Sequence, residues 1–459
     1  MTLAGFIAKF QRYRQADLTV VPTWKAIVWL TVPTLAGNAI QNTFNVIIMY
    51  YVSRLGTAAI AAVSVAGIVA MLVFTAVIGL SVGTTALVAR FHGAHDETNL
   101  RRTMTTTLAF SVLLGLVMAV AGVATGKPLL RALGAEADVV NLAYSYITVF
   151  FIGGFTLIFM NMITAILRGL GDSVTPTIIV AITVTLDVLI EPVFIFGLGP
   201  APAMGVRGAA LGAVCAFAAG AAISIFVLTR SRLPWRAVSF ANLSARLGWQ
   251  LVNIGVPASA QMLIRITASM VLVGFVTAGG TAAVAAYGIG NQLMGLILIP
   301  SFAFAMSAAI LTGQNLGARK PERAERSAMA SVGICAAIAG AIIIALVAFA
   351  RPIVEIFDPT PAVVAMGTKF IYISAPSYIF VPFGMVLSRA MSGAGVSWPP
   401  LVVTAVVLLG VRIPLAYILS NVLGYGVVGV FWAVSIPTVL EGVIMLGVFK
   451  TGVWKHKKL

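Results

Sequence analysis

Two carboxylates, Asp187 and Glu191, stand four residues apart in the otherwise apolar stretch TVTLDVLIEPVFIFG. In a helix this spacing puts them on one face, one turn apart. In a low-dielectric setting two such acids cannot easily both ionise, so they should titrate as a unit. That is the chemistry of a proton-coupled carrier. The same pair offers two hard oxygen ligands to Na⁺. The bland alternative is a permanent pairing with a membrane arginine. Thr183 lies one turn earlier on the same face and is a candidate to line a cavity beside them.

A second polar feature runs along the first apolar segment. Asn38, Gln41, Asn42 and Asn45 recur at i, i+3, i+4 and i+7, forming one stripe on an apolar helix. The stripe predicts cavity lining by Asn38, Gln41 and Asn45, or helix–helix packing through the same amides. Pro33, one turn before it, should kink the helix and serve as a conformational hinge. Asn161, with Thr164 one turn on, could face the same cavity. The second half of the chain holds three buried charges: Arg265, Arg412 and Glu441. A mid-span arginine usually has a carboxylate partner, and Glu441 is the only acid of that half at depth, so these three are expected to be structural.

The elements that carry these residues follow from the spacing of charge. Of 459 residues, 60% are hydrophobic and only 9% charged, with a net charge of +16. A soluble domain of ordinary make-up is about a quarter charged. Charge this scarce excludes a soluble enzyme, a disordered chain and a nucleic-acid binder. The positive charge is expected to meet a membrane surface, since it sits between long apolar runs. Uncharged gaps of a membrane-spanning length recur throughout. They predict twelve helices, near 26–52, 58–88, 103–125, 140–167, 176–198, 206–229, 250–277, 283–313, 328–349, 363–390, 399–422 and 426–449. The first span is longer than a signal-peptide core and reads as retained. With both termini in the cytoplasm, 21 Lys and Arg fall on the cytoplasmic side and 6 outside, which predicts the orientation by the positive-inside rule. No phosphate-cradling G-x-x-x-x-G-K-[ST] occurs. Cys215 and Cys335 fall inside spans without metal or disulfide spacing, and no metal site or resident cofactor is expected.

The chain also repeats itself. ALVARFHGAHDETNLRR at 86–102 resembles AILTGQNLGARKPERAER at 309–326, at an offset of 224. The same offset pairs Pro33 with Pro257, LGTAAIAAVSV with GGTAAVAAYGI, and Gly171 with Gly395. Near the end it slips to 221, where GVRGAAL meets GVVGVFW. Six spans per half is an even number, so the halves keep one orientation about an axis along the membrane normal. The fold class expected is an all-α integral membrane protein of twelve transmembrane helices in two pseudo-symmetric six-helix lobes. The lobes are 1–229 and 250–459, with a cytoplasmic linker at 230–249. Paired lobes of this kind are the build of an alternating-access transporter. The repeat mates of Asp187 and Glu191 are Val411 and Leu415, so the acid pair belongs to the first lobe alone.

The segments LVARFHGAHD, NMITAILRGLGDSVTPT, TLDVLIEPVFIFG, GTAAVAAYGIGNQ and GQNLGARKPERAER together resemble the multidrug and toxic compound extrusion (MATE) family, over essentially the full length. The resemblance implies a central cavity that opens outward, and export of organic cations or other amphipaths in exchange for H⁺ or Na⁺. In the branch whose cation site lies in the first lobe, an acid precedes a P-x-F-I-F-G run. Glu191 matches that acid, Asp187 stands where an Asn is common, and Asn161 matches an Asn on the fourth helix. Ile48 occupies the place of an acid on the first helix. The acids that the other branch carries on its seventh and tenth helices fall at Arg265 and Val381.

The expected function is therefore a secondary active multidrug efflux antiporter of the bacterial inner membrane, monomeric and not an enzyme. Its partners are small-molecule substrates and the lipid bilayer, with no nucleic acid. The rival is a flippase for lipid-linked saccharides on the same fold, which Arg265 favours and the two acids oppose. A non-transport receptor or scaffold is opposed by the paired lobes and buried acids.

Overall fold

A computed structural model describes residues 17–132, 134, 136–199, 202–230 and 243–457, with the side chains of 45, 46, 72, 73 and 230 left aside. Among the described residues the secondary structure is helical, without strands. The first six spans are α1 (Thr23–Ser53), α2 (Thr57–Gly93), α3 (Glu97–Ala132), α4 (Ala137–Gly169), α5 (Val174–Phe196) and α6 (Val206–Arg230). The next three are α7 (Ala245–Thr277), α8 (Thr281–Gly317) and α9 (Pro321–Ala348), followed by the short α10 (Ala350–Phe357). The tenth span is α11 (Pro361–Ser374), a 3₁₀ segment (Ala375–Phe380) and α12 (Val381–Gly393). The eleventh comprises α13 (Trp398–Ala405), a π-helical segment (Val406–Arg412), α14 (Ile413–Tyr417) and a second π-helical segment (Ile418–Val422). The twelfth is α15 (Gly426–Lys450).

All twelve expected spans are present, and most helices run beyond their expected ends. Charge-free gaps measure the apolar core of a bilayer, whereas Glu97–Arg102 and Pro321–Arg326 continue as helix outside it. Eleven spans are apolar enough to cross a membrane by composition. The exception, α1, carries the amide stripe that lowers its hydropathy. On α3, Leu113, Leu116 and Val120 are more than half exposed, as expected where the solvent is lipid rather than water.

The repeat is written into the backbone. Two non-glycine residues have positive φ among those described, His95 at 52° and Arg319 at 58°, and they lie 224 residues apart. Gly56 and Gly280 (98° and 82°) and Gly171 and Gly395 (92° and 85°) obey the same offset. Gly205 and Gly426, both at 55°, share the offset of 221. Each pair ends one helix and starts the next with the same left-handed residue, a conformation that costs a non-glycine side chain about 1 kcal/mol or more. The motif segments are therefore turn and cap devices. Asp172 accepts the Thr175 backbone N–H at 2.9 Å and its hydroxyl at 2.6 Å. Asp96 accepts the Asn99 backbone N–H at 3.0 Å and its amide at 2.7 Å.

Contacts divide the chain into two units, Val32–Gly255 and Asp17–Thr31 with Val256–Leu459. This departs from the sequence division in two places, and residues 231–242 of the expected linker lie outside the described residues. The first unit keeps the opening turns of α7. Ser244 N–H donates to Thr106 Oγ1 at 3.4 Å, and glycines allow close backbone approach, so that a methyl at Gly83 would lie 2.7 Å from Leu251 O and one at Gly255 2.8 Å from Gly79 O. The second unit holds the opening turns of α1. Ile27 and Leu30 join its core with Phe304, Leu387 and Trp454. The Thr31 and Ser307 hydroxyls meet at 2.7 Å, and Lys320 Nζ donates to Thr19 O at 3.1 Å. Both helices change unit one residue before a proline, Pro33 in α1 and Pro257 in α7.

The units differ in their last spans. α4 and α5 are continuous, whereas their repeat mates are interrupted. Pro376 and Pro382 remove two N–H donors where the tenth span tightens to 3₁₀. Pro414 removes another between the two π-helical segments of the eleventh.

Candidate functional site

The acid pair is held by three helices of the first unit. Asp187 and Glu191 on α5 are 6% and 2% exposed. Asp187 Oδ1 and Glu191 Oε2 are fully buried with no hydrogen-bond partner among the described residues. Neither forms an ion pair there, so the permanent arginine partner weighed from sequence is not supplied. A buried carboxylate without a donor is costly unless it binds a proton or a cation.

What seats the pair is a ladder of small residues on α6. A methyl added at Gly212 would lie 2.7 Å from Glu191 Cα and 2.8 Å from its Cγ. Gly208 lies against Phe194 O, and Gly220 against Thr183 Oγ1 and Met160 Sδ. The four-residue spacing Gly208, Gly212, Ala216, Gly220 lets two helices approach at backbone distance. It is legible in the sequence but was not among the expected site residues. Tyr146 on α4 also interacts electrostatically with both carboxylates. Nothing in its sequence neighbourhood signals that role.

The other expected residues separate into groups. Thr183 is fully buried, with its hydroxyl on Met160 Sδ at 3.5 Å. It packs α5 on α4 and α6 rather than lining open space, because Gly220 brings α6 against it. Asn161 is half-buried and returns its amide to Leu157 O in its own helix at 2.9 Å. On α1, Asn38 is half-buried and Gln41 exposed, while the Asn45 side chain lies outside the described residues. Pro33 is joined to the acid-bearing helix: the Thr177 hydroxyl on α5 donates to Pro33 O at 2.9 Å. A methyl at Gly37 would rest 3.4 Å from the same hydroxyl.

In the second unit Arg265 and Glu441 form a two-pronged ion pair, Nη2 to Oε1 at 2.5 Å and Nη1 to Oε2 at 3.2 Å. Thr404 donates to Oε1 at 3.0 Å. Arg412 takes no part. It sits in the first π-helical segment, and its buried Nε has no partner among the described residues. One acid thus serves one arginine, and the expectation that Glu441 would answer for the buried arginines holds for Arg265 alone.

These features agree with the chain's relatives. The MatE family model matches residues 33–193 and 257–418, one match per repeat. The chain belongs to the MatE family, whose members are membrane transporters and not enzymes. It is 26% identical to "Probable multidrug resistance protein YoeA" of Bacillus subtilis, covering 95% of each chain. It is 25% identical to "FAD transporter" of Shewanella oneidensis, over 93% of this chain and 94% of that one. Among solved structures, a MATE protein crystallised in the bent conformation superposes with a TM-score of 0.88 at 25% identity, covering 96% of this chain and 97% of that one.

Proposed function

We propose that this protein is a proton-coupled exporter of organic cations or other amphipathic small molecules, working as a monomer in a bacterial plasma membrane by alternating access. The observation that carries the reading is the buried, unpaired acid pair of the first unit: Asp187 and Glu191 lie one helical turn apart with a free oxygen each. Both carboxylates come from one helix, so they can share a proton with no outside ligand. A Na⁺ shell needs several oxygens converging from different helices. Asn161 donates its amide to Leu157 O and Thr183 its hydroxyl to Met160 Sδ, and neither is hydrogen-bonded to the carboxylates. Protonation removes a negative charge from the site and weakens its hold on a cation, which gives the exchange its sign. Pro33, tied to α5 through Thr177, is the hinge by which this change bends α1. Asn38 and Gln41 line the cavity on the same helix. The distribution of Lys and Arg favours an orientation with both termini in the cytoplasm.

The names of the relatives, a probable multidrug resistance protein and an FAD transporter, support transport of diverse organic molecules. The flippase alternative depended on Arg265 as a free cation, and Glu441 neutralises it.

Purified protein in vesicles with an imposed ΔpH or an imposed ΔNa⁺ separates the couplings. Export of a fluorescent organic cation under ΔpH alone is the expected result. Robust export under ΔNa⁺ at fixed pH, with no response to ΔpH, would overturn the proton reading.

A further inference from the structure

The second unit contains a cleft lined by Gln261, Arg265, Phe302, Met385, Ser388 and Arg389. Its polar atoms can be accounted for individually. Glu441 is the carboxylate beside it, and its oxygens are taken by Arg265 and Thr404. The Gln261 carbonyl oxygen accepts the Ser388 hydroxyl at 2.9 Å. Those acceptors are occupied. The Gln261 amide N–H groups and the whole Arg389 guanidinium have no partner among the described residues. Arg389 feels Arg265 as a like charge. With Arg265 neutralised by Glu441, Arg389 leaves the cleft with one uncompensated positive charge. What remains is a set of donors around a net cation, which is the complement of an oxyanion. The space is small, about 30 Å³, of the order of one water's share of liquid. It therefore admits a single polar group of a larger molecule.

We propose that this cleft is an anion subsite that holds a carboxylate or phosphate group of the transported molecule, with Arg389 as its principal ligand and Gln261 as the second donor. The inference deepens the exporter reading and rests on it. It widens the substrate class from simple cations to amphipaths that carry an acidic group. The rest of such a molecule extends past Phe302, which is 40% exposed and offers an apolar face.

The test compares dyes that differ by one anionic group. Rhodamine B and its ethyl ester share a fluorophore and differ in a free carboxylate. Flavin mononucleotide and riboflavin differ in one phosphate. Fluorescence anisotropy with the full-length protein in lipid nanodiscs, at fixed pH and without an ion gradient, gives each affinity. The expected result is a preference of about tenfold for the acidic member of at least one pair, equivalent to about 1.4 kcal/mol. A preference confined to one pair identifies the group accepted. Arg389→Gln should erase the preference while the ester and riboflavin bind as before. Arg389→Lys should retain part of it, since charge survives without the planar fork. Gln261→Met tests the second donor and should reduce the preference several-fold, independently of any folding fault at Arg389. Equal affinities within both pairs, or a preference that Arg389→Gln leaves intact, overturn the subsite. Because no gradient is applied, failure of ion-driven export would refute the coupling and leave this outcome unaffected.

Discussion

The two units place charge in the membrane in opposite ways. In the first, two acids on one helix turn are buried without a counter-ion among the described residues. In the second, Glu441 is held by Arg265 in a two-pronged pair with a threonine completing the shell. The first arrangement is satisfied only when something mobile arrives, and the second is satisfied permanently. The difference teaches that a buried acid in this fold is informative by its partner and not by its depth, since Asp187 and Glu441 are each 6% exposed. The backbone follows the same division. The acid pair stands on continuous helix, whereas its repeat mates fall in the span interrupted by π-helical segments.

The largest expected effect comes from breaking the unpaired site. Glu191→Gln should reduce proton-driven export from vesicles to background while the protein inserts and unfolds as before, because the carboxylate has no ion pair among the described residues for the amide to break. Normal driven export by this variant would show that the two units do not differ in function as argued.

Next is the paired site. Glu441→Gln should leave transport coupling in place but destabilise the fold by roughly 3 kcal/mol, the lower end for breaking a buried pair. The lower end applies because 31% of the Arg265 side chain is left accessible, so the pair is only partly enclosed. Arg265→Met together with Glu441→Leu should recover most of that loss. Denaturant unfolding in detergent measures both, and a double variant no better than the single would mean the pair is not a closed unit.

The smallest effect sharpens the role of the helix seat. Gly212→Ala introduces a methyl 2.7 Å from Glu191 Cα, which forces α6 away from α5 at a cost of about 1–3 kcal/mol. It should also shift the pH midpoint of driven export, since the acid's surroundings open to water. The same substitution at Gly154, where no atom lies within 4 Å, should do neither. Equal effects at both positions would place the seat elsewhere.

Much of this was legible in the sequence because it is local or periodic. Charge-free gaps give the spans, an offset of 224 gives the duplication, and i, i+4 spacing puts Asp187 and Glu191 on one face. Those features need only helix geometry and the cost of charge in a bilayer. The tertiary structure decided which charges meet. Arg265 and Arg412 had equal claims on Glu441 by type and depth. The fold gave it to Arg265, across 176 residues of chain from α15 to α7, while Arg412 in the π-helical segment keeps a buried Nε without a partner among the described residues. It placed Tyr146 by the acids and left Arg389 with unspent donors. It also gave the first turns of α1 to the second unit. Pairings across such sequence separations depend on how whole helices pack, and the residues involved carry no spacing that announces them.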